Sequence, residues 1–227
     1  DDTYNLHSRG TGRLARAVAA ELAKNYPVRG VTRHQLYVHP DIPYTSHNSC
    51  GVIHINMDGY HHLDGIFEIA REEMLNDFIE GSDPGLSVAN HEQIKPSLIA
   101  YGRDAQRTVL TQENARTMAK NLGIRLEGLG GTEDGVIGSM AGLGLASTSN
   151  DGRFLQIGTI RELVGPQPAQ TLLDAGIDDI YTTDGRRVTT GVIWNEETKS
   201  VKPCPVNEKA ILFVEEVDGE LRAVKRN

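Results

Sequence analysis

The chain opens on two carboxylates. Asp1 and Asp2 are adjacent and precede Thr3. Where a strand ends, neighbouring side chains splay to opposite sides. One carboxylate can then bind a divalent ion directly while the other binds through water or holds a second ion. Mg²⁺ takes one or two carboxylates together with phosphate and water oxygens, so the pair suits a nucleotide–metal complex. Ser8-Arg9-Gly10-Thr11-Gly12-Arg13 follows at once and leads into a helical pattern. Glycines let backbone amides curl toward an anion. A helix start adds donors and a positive dipole end. Arg9 and Arg13 can each grip a phosphate bidentately. No GK[ST] follows, so this is not a Walker loop. A solvated acidic end and an ordinary glycine turn capped by Thr11 remain open alternatives.

A second glycine-rich segment spans residues 128–147, with seven glycines. Gly131, Asp134 and Gly135 offer flexible backbone at a helix start, able to hold a nucleotide base or an acceptor. Gly138, Gly142 and Gly144 read instead as points of close helix–sheet packing. His47 and Asn48 either orient an acceptor or cap a turn. All eight histidines lie within residues 7–91, including His54 and the pair His61-His62. Imidazoles suit transition metals, but no HExxH-like spacing occurs, and surface and loop histidines are the better account. Cys50 and Cys204 form neither a disulfide framework nor a zinc cluster, which fits a reducing cytosol.

These residues need a scaffold, and 227 residues supply one. Apolar periodicity predicts helices over 11–24, 63–79, 92–101 and 113–122, and another opening near Asp134. Strands are expected at 35–38, 51–57 and 153–160, with a further candidate at 107–110. An apolar strand leading into Asp1 is also expected. After Gly165-Pro166 the texture turns β-rich, with Asp184-Gly185 and Asp218-Gly219 as hairpin turns. The expectation is an α/β chain, helices on a mixed sheet, in two parts: 1–165 and a small β-rich appendage, 166–227. No apolar run approaches the roughly 20 residues that span a bilayer. The first residues are acidic and polar, unlike a secretory leader, so a cytoplasmic location is expected. The formal charge of −8 disfavours bulk nucleic-acid binding. Local basic patches are expected at Arg29, Arg33 and His34, and at Arg186 and Arg187.

DDT followed by SRG and a helix resembles the start of the archaeal tRNA-isoleucine agmatidine synthetases. The segment VHPDIPYTSHNSCGVIHI is similar to that family's N-P-x-I-P-Y-K-T-R-G-N-G-A-V stretch, through Pro40, Ile42, Pro43, Tyr44, Thr45 and Asn48. SDPGL at 82–86 resembles its N-P-G loop, and DGVIGSMAGLG at 134–144 its R-G-L-I-G-A-L-A-A-V-G helix. The resemblance implies an ATP-using domain of unusual kinase type, which in that family phosphorylates a cytosine carbonyl oxygen so that agmatine displaces phosphate. It places Asp1, Asp2 and Thr3 at the Mg²⁺–triphosphate, and Gly10, Thr11 and Arg13 in the phosphate turn, flanked by Arg9 and Gly12. Asp1, Asp2, Thr11 and Arg13 are the expected catalytic set.

The chain departs from the pattern in three ways. Tyr4 replaces the family's third acid. Only Thr11 stands where the family has a threonine pair. Two cysteines cannot form a Cys₄ ribbon, and the last ~60 residues are short for an OB-fold plus ribbon. The resulting expectation is a Mg-ATP-dependent phosphotransferase or phosphate-activating synthetase acting on a small molecule, with a homodimer possible. The alternatives are a nucleotide-binding accessory protein without turnover, and an RNA modifier that needs a partner to capture RNA.

Overall fold

The computed structural model describes residues 10–42, 48–57 and 62–226. In chain order they form α1 (Thr11–Leu22), β1 (Val28–Gln35), β2 (Ser49–Ile55), α2 (Leu63–Asn76), β3 (Gly85–Val88), α3 (Pro96–Asp104), α4 (Gln112–Leu122), β4 (Arg125–Gly128), α5 (Gly135–Ala146) and β5 (Arg153–Ile157). There follow β6 (Gln167–Pro168), α6 (Ala169–Asp174), β7 (Asp179–Thr182), β8 (Val192–Trp194), β9 (Cys204–Val206), β10 (Lys209–Val217) and β11 (Glu220–Ala223). The fold is α+β. Among the described residues no helix is long and apolar enough to cross a membrane.

Leu14, Val18, Ala19 and Leu22 recur every three or four residues in α1 and are all buried, so periodicity finds this helix correctly. Strand β1 is the element that hydropathy misplaces. It covers Val28–Gln35 rather than 35–38, and it is the centre of an antiparallel sheet ordered β2-β1-β5. Two of its inward positions are Thr32 and His34, both fully buried, so the apolar alternation that marks a half-buried strand is absent. The candidate strand at 107–110 does not form. Tight turns follow α3, and Thr111 then caps α4 with Asn114 in a reciprocal capping box.

Helix α5 is apolar on every side, and nine of its residues are buried, Met140 and Leu145 among them. It packs on α3, β2 and β3 at once, the environment such a helix requires. β3 and β4 form a separate antiparallel ribbon, Gly85 opposite Gly128.

The C-terminal sheet is ordered β6-β8-β11-β10-β7, with β9 also on β10. Asp218 and Gly219 both take positive φ, 53° and 80°, and close the β10–β11 hairpin as an Asp-Gly turn should. Asp184-Gly185 makes a turn, but the segment behind it contributes one isolated bridge, Tyr181 to Arg187, instead of a strand. The core of this sheet (Leu172, Ile180, Ile193, Leu212 and Val214) is continuous with Phe154, Ile157 and Ile160.

Candidate functional site

Helix α1 begins in a conformation suited to anion binding. Gly10 occupies the cap position with φ 79° and ψ 149°, a region open in practice to glycine alone. No side-chain hydrogen bond caps the helix, and no acidic residue lies in its first turn. The positive dipole end is thus not offset by a carboxylate of its own first turn. Arg13 is exposed there, and Gly12 lies against Leu155 of β5. Asp1, Asp2, Thr3 and Arg9, and also His47, lie outside the described residues.

Thr11 also lines a cavity of about 500 Å³. Its lining is largely aliphatic: Leu14 and Val18 from α1, Ile66 and Met74 from α2, Val52 and Ile53 from β2, and Leu86 from β3. Consecutive residues Val52-Ile53 and Gly85 through Asn90 border it. Side chains of a strand alternate between faces, so consecutive lining residues mean that the strand edges themselves face the cavity. Among the described residues β2 pairs with β1 alone and β3 with β4 alone. This is a slot between two sheet edges, roofed by α1 and α2 and floored by α5. Its aliphatic walls suit apolar side chains and offer little to a triphosphate.

The other candidate residues stand apart from this slot. Asn48 donates its side-chain amide to the Tyr37 carbonyl at 2.7 Å, and its own carbonyl accepts from Leu36 at 2.9 Å. It joins the ends of β1 and β2. Gly131 and Gly135 meet the loop at 82–85. The Asp83 carboxylate accepts from the Thr132 amide, and the Asp83 carbonyl accepts from the Gly135 amide at 3.0 Å. Asp134 accepts from Gln112 at 2.8 Å. None of Asn48, Gly131, Asp134 or Gly135 lines the slot.

A buried polar chain escapes the sequence reading. The Asp151 carboxylate accepts from His34 Nδ1 at 2.7 Å and from Gln106 at 2.9 Å. His34 Nε2 and His54 Nε2 each meet the Thr32 hydroxyl at 2.8 Å. One hydroxyl proton and two lone pairs let Thr32 donate to one ring and accept from the other. Burial disfavours the charged form of Asp151, yet hydrogen bonds from His34 and Gln106 outweigh it and hold the carboxyl below its ordinary range. Burial, then His34 and Arg29, push His54 down to about 4. His34 and His54 are therefore interior residues of the sheet, not the surface or loop histidines expected. His34 lies two residues from Thr32, but His54 is 22 residues away and joins them only once β1 and β2 are paired. Among the described residues no group of three His, Cys, Asp or Glu side chains could hold a metal.

His54 gives a pH prediction. Its folded pKa lies below the 6.5 of the unfolded chain, so the native state rejects a proton that the unfolded state binds. The stabilisation is complete above pH 6.5 and is lost as pH falls toward 4, up to about 3 kcal/mol in total. Urea melts at steps across that window should show this loss, and His54→Asn should flatten it.

The basic patches also differ from expectation. Arg186 pairs with Glu216 at 2.5 Å, Arg187 with Asp179 at 2.6 Å, and Arg33 donates to Ser49 at 2.8 Å.

No family model and no curated protein matches the chain. Solved structures do. Residues amounting to 63% of the chain superpose on TiaS in a complex with tRNA and ATP, with a TM-score of 0.53 and 20% identity. A complex of TiaS with tRNA, AMPCPP and agmatine gives 0.52 and 18%, and a tRNA fluorescent labeling enzyme gives 0.52 and 19%, each over 63% of the chain. The chain spans 34% of the length of each of these three. TiaS is a tRNA agmatidine synthetase, so the resemblance read from the motifs is borne out, as a likeness of fold.

Proposed function

We propose that the chain is the ATP-using module of an RNA-modifying enzyme, with a tRNA as acceptor and the nucleotide's phosphates at the first turn of α1. The observation that carries this reading is the pairing of two facts. The fold is shared with proteins solved on tRNA and ATP, and α1 opens on a glycine cap with no acid in its first turn. The shared fold favours an RNA acceptor over a small molecule. The net charge of −8 does not oppose this, because phosphate contacts depend on where cations sit and not on their sum.

In this reading the amides around Gly10 and Gly12 and the Arg13 guanidinium neutralise charge that builds on phosphate oxygens, the main need of phosphoryl transfer. Thr11 stays beside them with its hydroxyl. Mg²⁺ is assigned to Asp1 and Asp2 from the sequence alone, with Thr3 and Arg9 beside them. Gly131, Asp134, Gly135 and Asn48 act through the scaffold, as loop anchors. Residues 166–227 form the small β-rich appendage.

The test is ATP cleavage with and without unmodified bulk tRNA, read as phosphate release. Cleavage that needs tRNA, and that falls at least tenfold in Asp1→Asn and Asp2→Asn, is the expected outcome. Tyr4 in place of an acid favours a second reading, nucleotide binding without turnover. Binding of ATP with no tRNA-dependent cleavage would select that reading.

A further inference from the structure

The chain carries 31 acidic and 23 basic side chains, so a region where cations cluster needs a reason. Such a region joins α1 to the C-terminal sheet. Lys202, partly buried in the segment leading into β9, is lowered first by burial and then by Arg153, Arg161, Lys225 and Arg16, to about 8. No carboxylate is among the charges acting on it. Arg16 is likewise lowered by burial, then by Arg161 and Arg13. Among the described residues no carboxylate lies within 4.0 Å of Arg13, Arg16, Arg161, Lys202 or Lys225. Soluble surfaces ordinarily intersperse the two signs. Like charges held together destabilise the fold unless an anion joins them.

The cations lead somewhere. Lys202 and Lys225 share a cleft of about 410 Å³ with Trp194 and Arg222. Two carboxylates also line this cleft, each paired there with a cation: Glu196 with Lys199 at 2.5 Å and Glu220 with Arg222 at 2.8 Å. Glu196 also feels Lys225. In β8, Ile193 points into the core, which turns Trp194 outward, 42% exposed. A free phosphate would occupy one or two of these cations. A row of cations that ends on an exposed indole matches a charged backbone carrying flat bases, since bases stack on aromatic faces while cations follow the phosphates.

We propose that Arg13, Arg16, Arg161, Lys202, Lys225 and Trp194 form a track for single-stranded RNA, running from the start of α1 to the cleft of the C-terminal sheet. The choice of RNA over DNA rests on the function proposed above; the location of the track does not.

The test is fluorescence anisotropy of a labelled single-stranded RNA against the full chain at several salt concentrations. Wild type should bind with an affinity that falls steeply with salt. Lys202→Glu/Lys225→Glu should weaken binding at least tenfold and reduce the salt slope by about 1.4, the value for two single-strand phosphate contacts. Trp194→Ala should weaken it about tenfold with the slope unchanged. Lys120→Glu, on the far helix α4, should change neither affinity nor slope by a comparable amount. If the glutamate pair fails to fold, Lys202→Gln/Lys225→Gln should still reduce the slope. No RNA binding by wild type, variants that bind as wild type does, or a double variant matched by Lys120→Glu would each overturn the track. So would equal competition by phosphatidylserine vesicles, which would mark a membrane surface instead. A melting shift with Mg²⁺ and an ATP analogue, measured on unmodified protein, scores the nucleotide reading separately. RNA binding without that shift keeps the track and removes the ATP assignment.

Discussion

Gly135→Ala should lower stability by about 3 kcal/mol or more, and the melting temperature by on the order of 6–12 °C. A Cβ at Gly135 would collide with the Asp83 carbonyl oxygen and stand 2.5 Å from the Gly85 amide nitrogen. Both obstacles are backbone, so no side-chain rotation relieves them. The Gly135 amide donates to the Asp83 carbonyl at 3.0 Å, and a shift of α5 away from β3 would break that bond as well. Because α5 is buried on all sides, the displacement would reach Met140 and Leu145 at the centre of the core. Gly219→Ala is the contrast. Its surroundings are empty to 4 Å and only its φ of 80° opposes a side chain, a cost of about 1 kcal/mol. Thermal melts of the two variants check the ordering. A Gly135→Ala protein that melts with wild type would mean that α5 and the 82–85 loop do not approach as described.

Thr32→Val should cost about 2–5 kcal/mol, although the two side chains share a shape. The substitution keeps the packing and deletes the hydroxyl that both His34 Nε2 and His54 Nε2 meet at 2.8 Å. Two ring nitrogens then lose their partner, and that of His34, fully buried, recovers no water. Thr32→Ser restores the hydroxyl without the methyl group and should recover most of the loss. Urea unfolding of the pair measures this directly. If Ser and Val cost the same, the methyl contact matters and the hydrogen-bond chain does not.

How far the sequence discloses this molecule depends on whether the relevant signal is local. Helix α1 declares itself because its buried residues are aliphatic and evenly spaced. The β10–β11 hairpin does so because Asp218-Gly219 dictates its own turn. Strand β1 hides because Thr32 and His34 look like surface residues until Asp151, more than a hundred positions later, is brought beside them. The glycines at 131–135 suggest a ligand loop, but what they approach is the protein's own 82–85 loop. The cationic track is less legible still. Its cations come from α1, the turn after β5, the approach to β9 and the tail of β11, stretches far apart in the sequence. The glycine–arginine turn reads correctly as the start of a helix, and the acid pair before it rests on sequence.

The central claim is that nucleotide phosphates sit at the first turn of α1. Melting curves of wild type and Arg13→Glu with Mg²⁺ and a non-hydrolysable ATP analogue test this most directly. At about a hundredfold excess over Kd, the ligand should stabilise wild type by about 2.7 kcal/mol, a rise of several degrees, and the rise should be largely lost in Arg13→Glu. A wild-type melting temperature that does not move, or a rise that Arg13→Glu leaves intact, would contradict it.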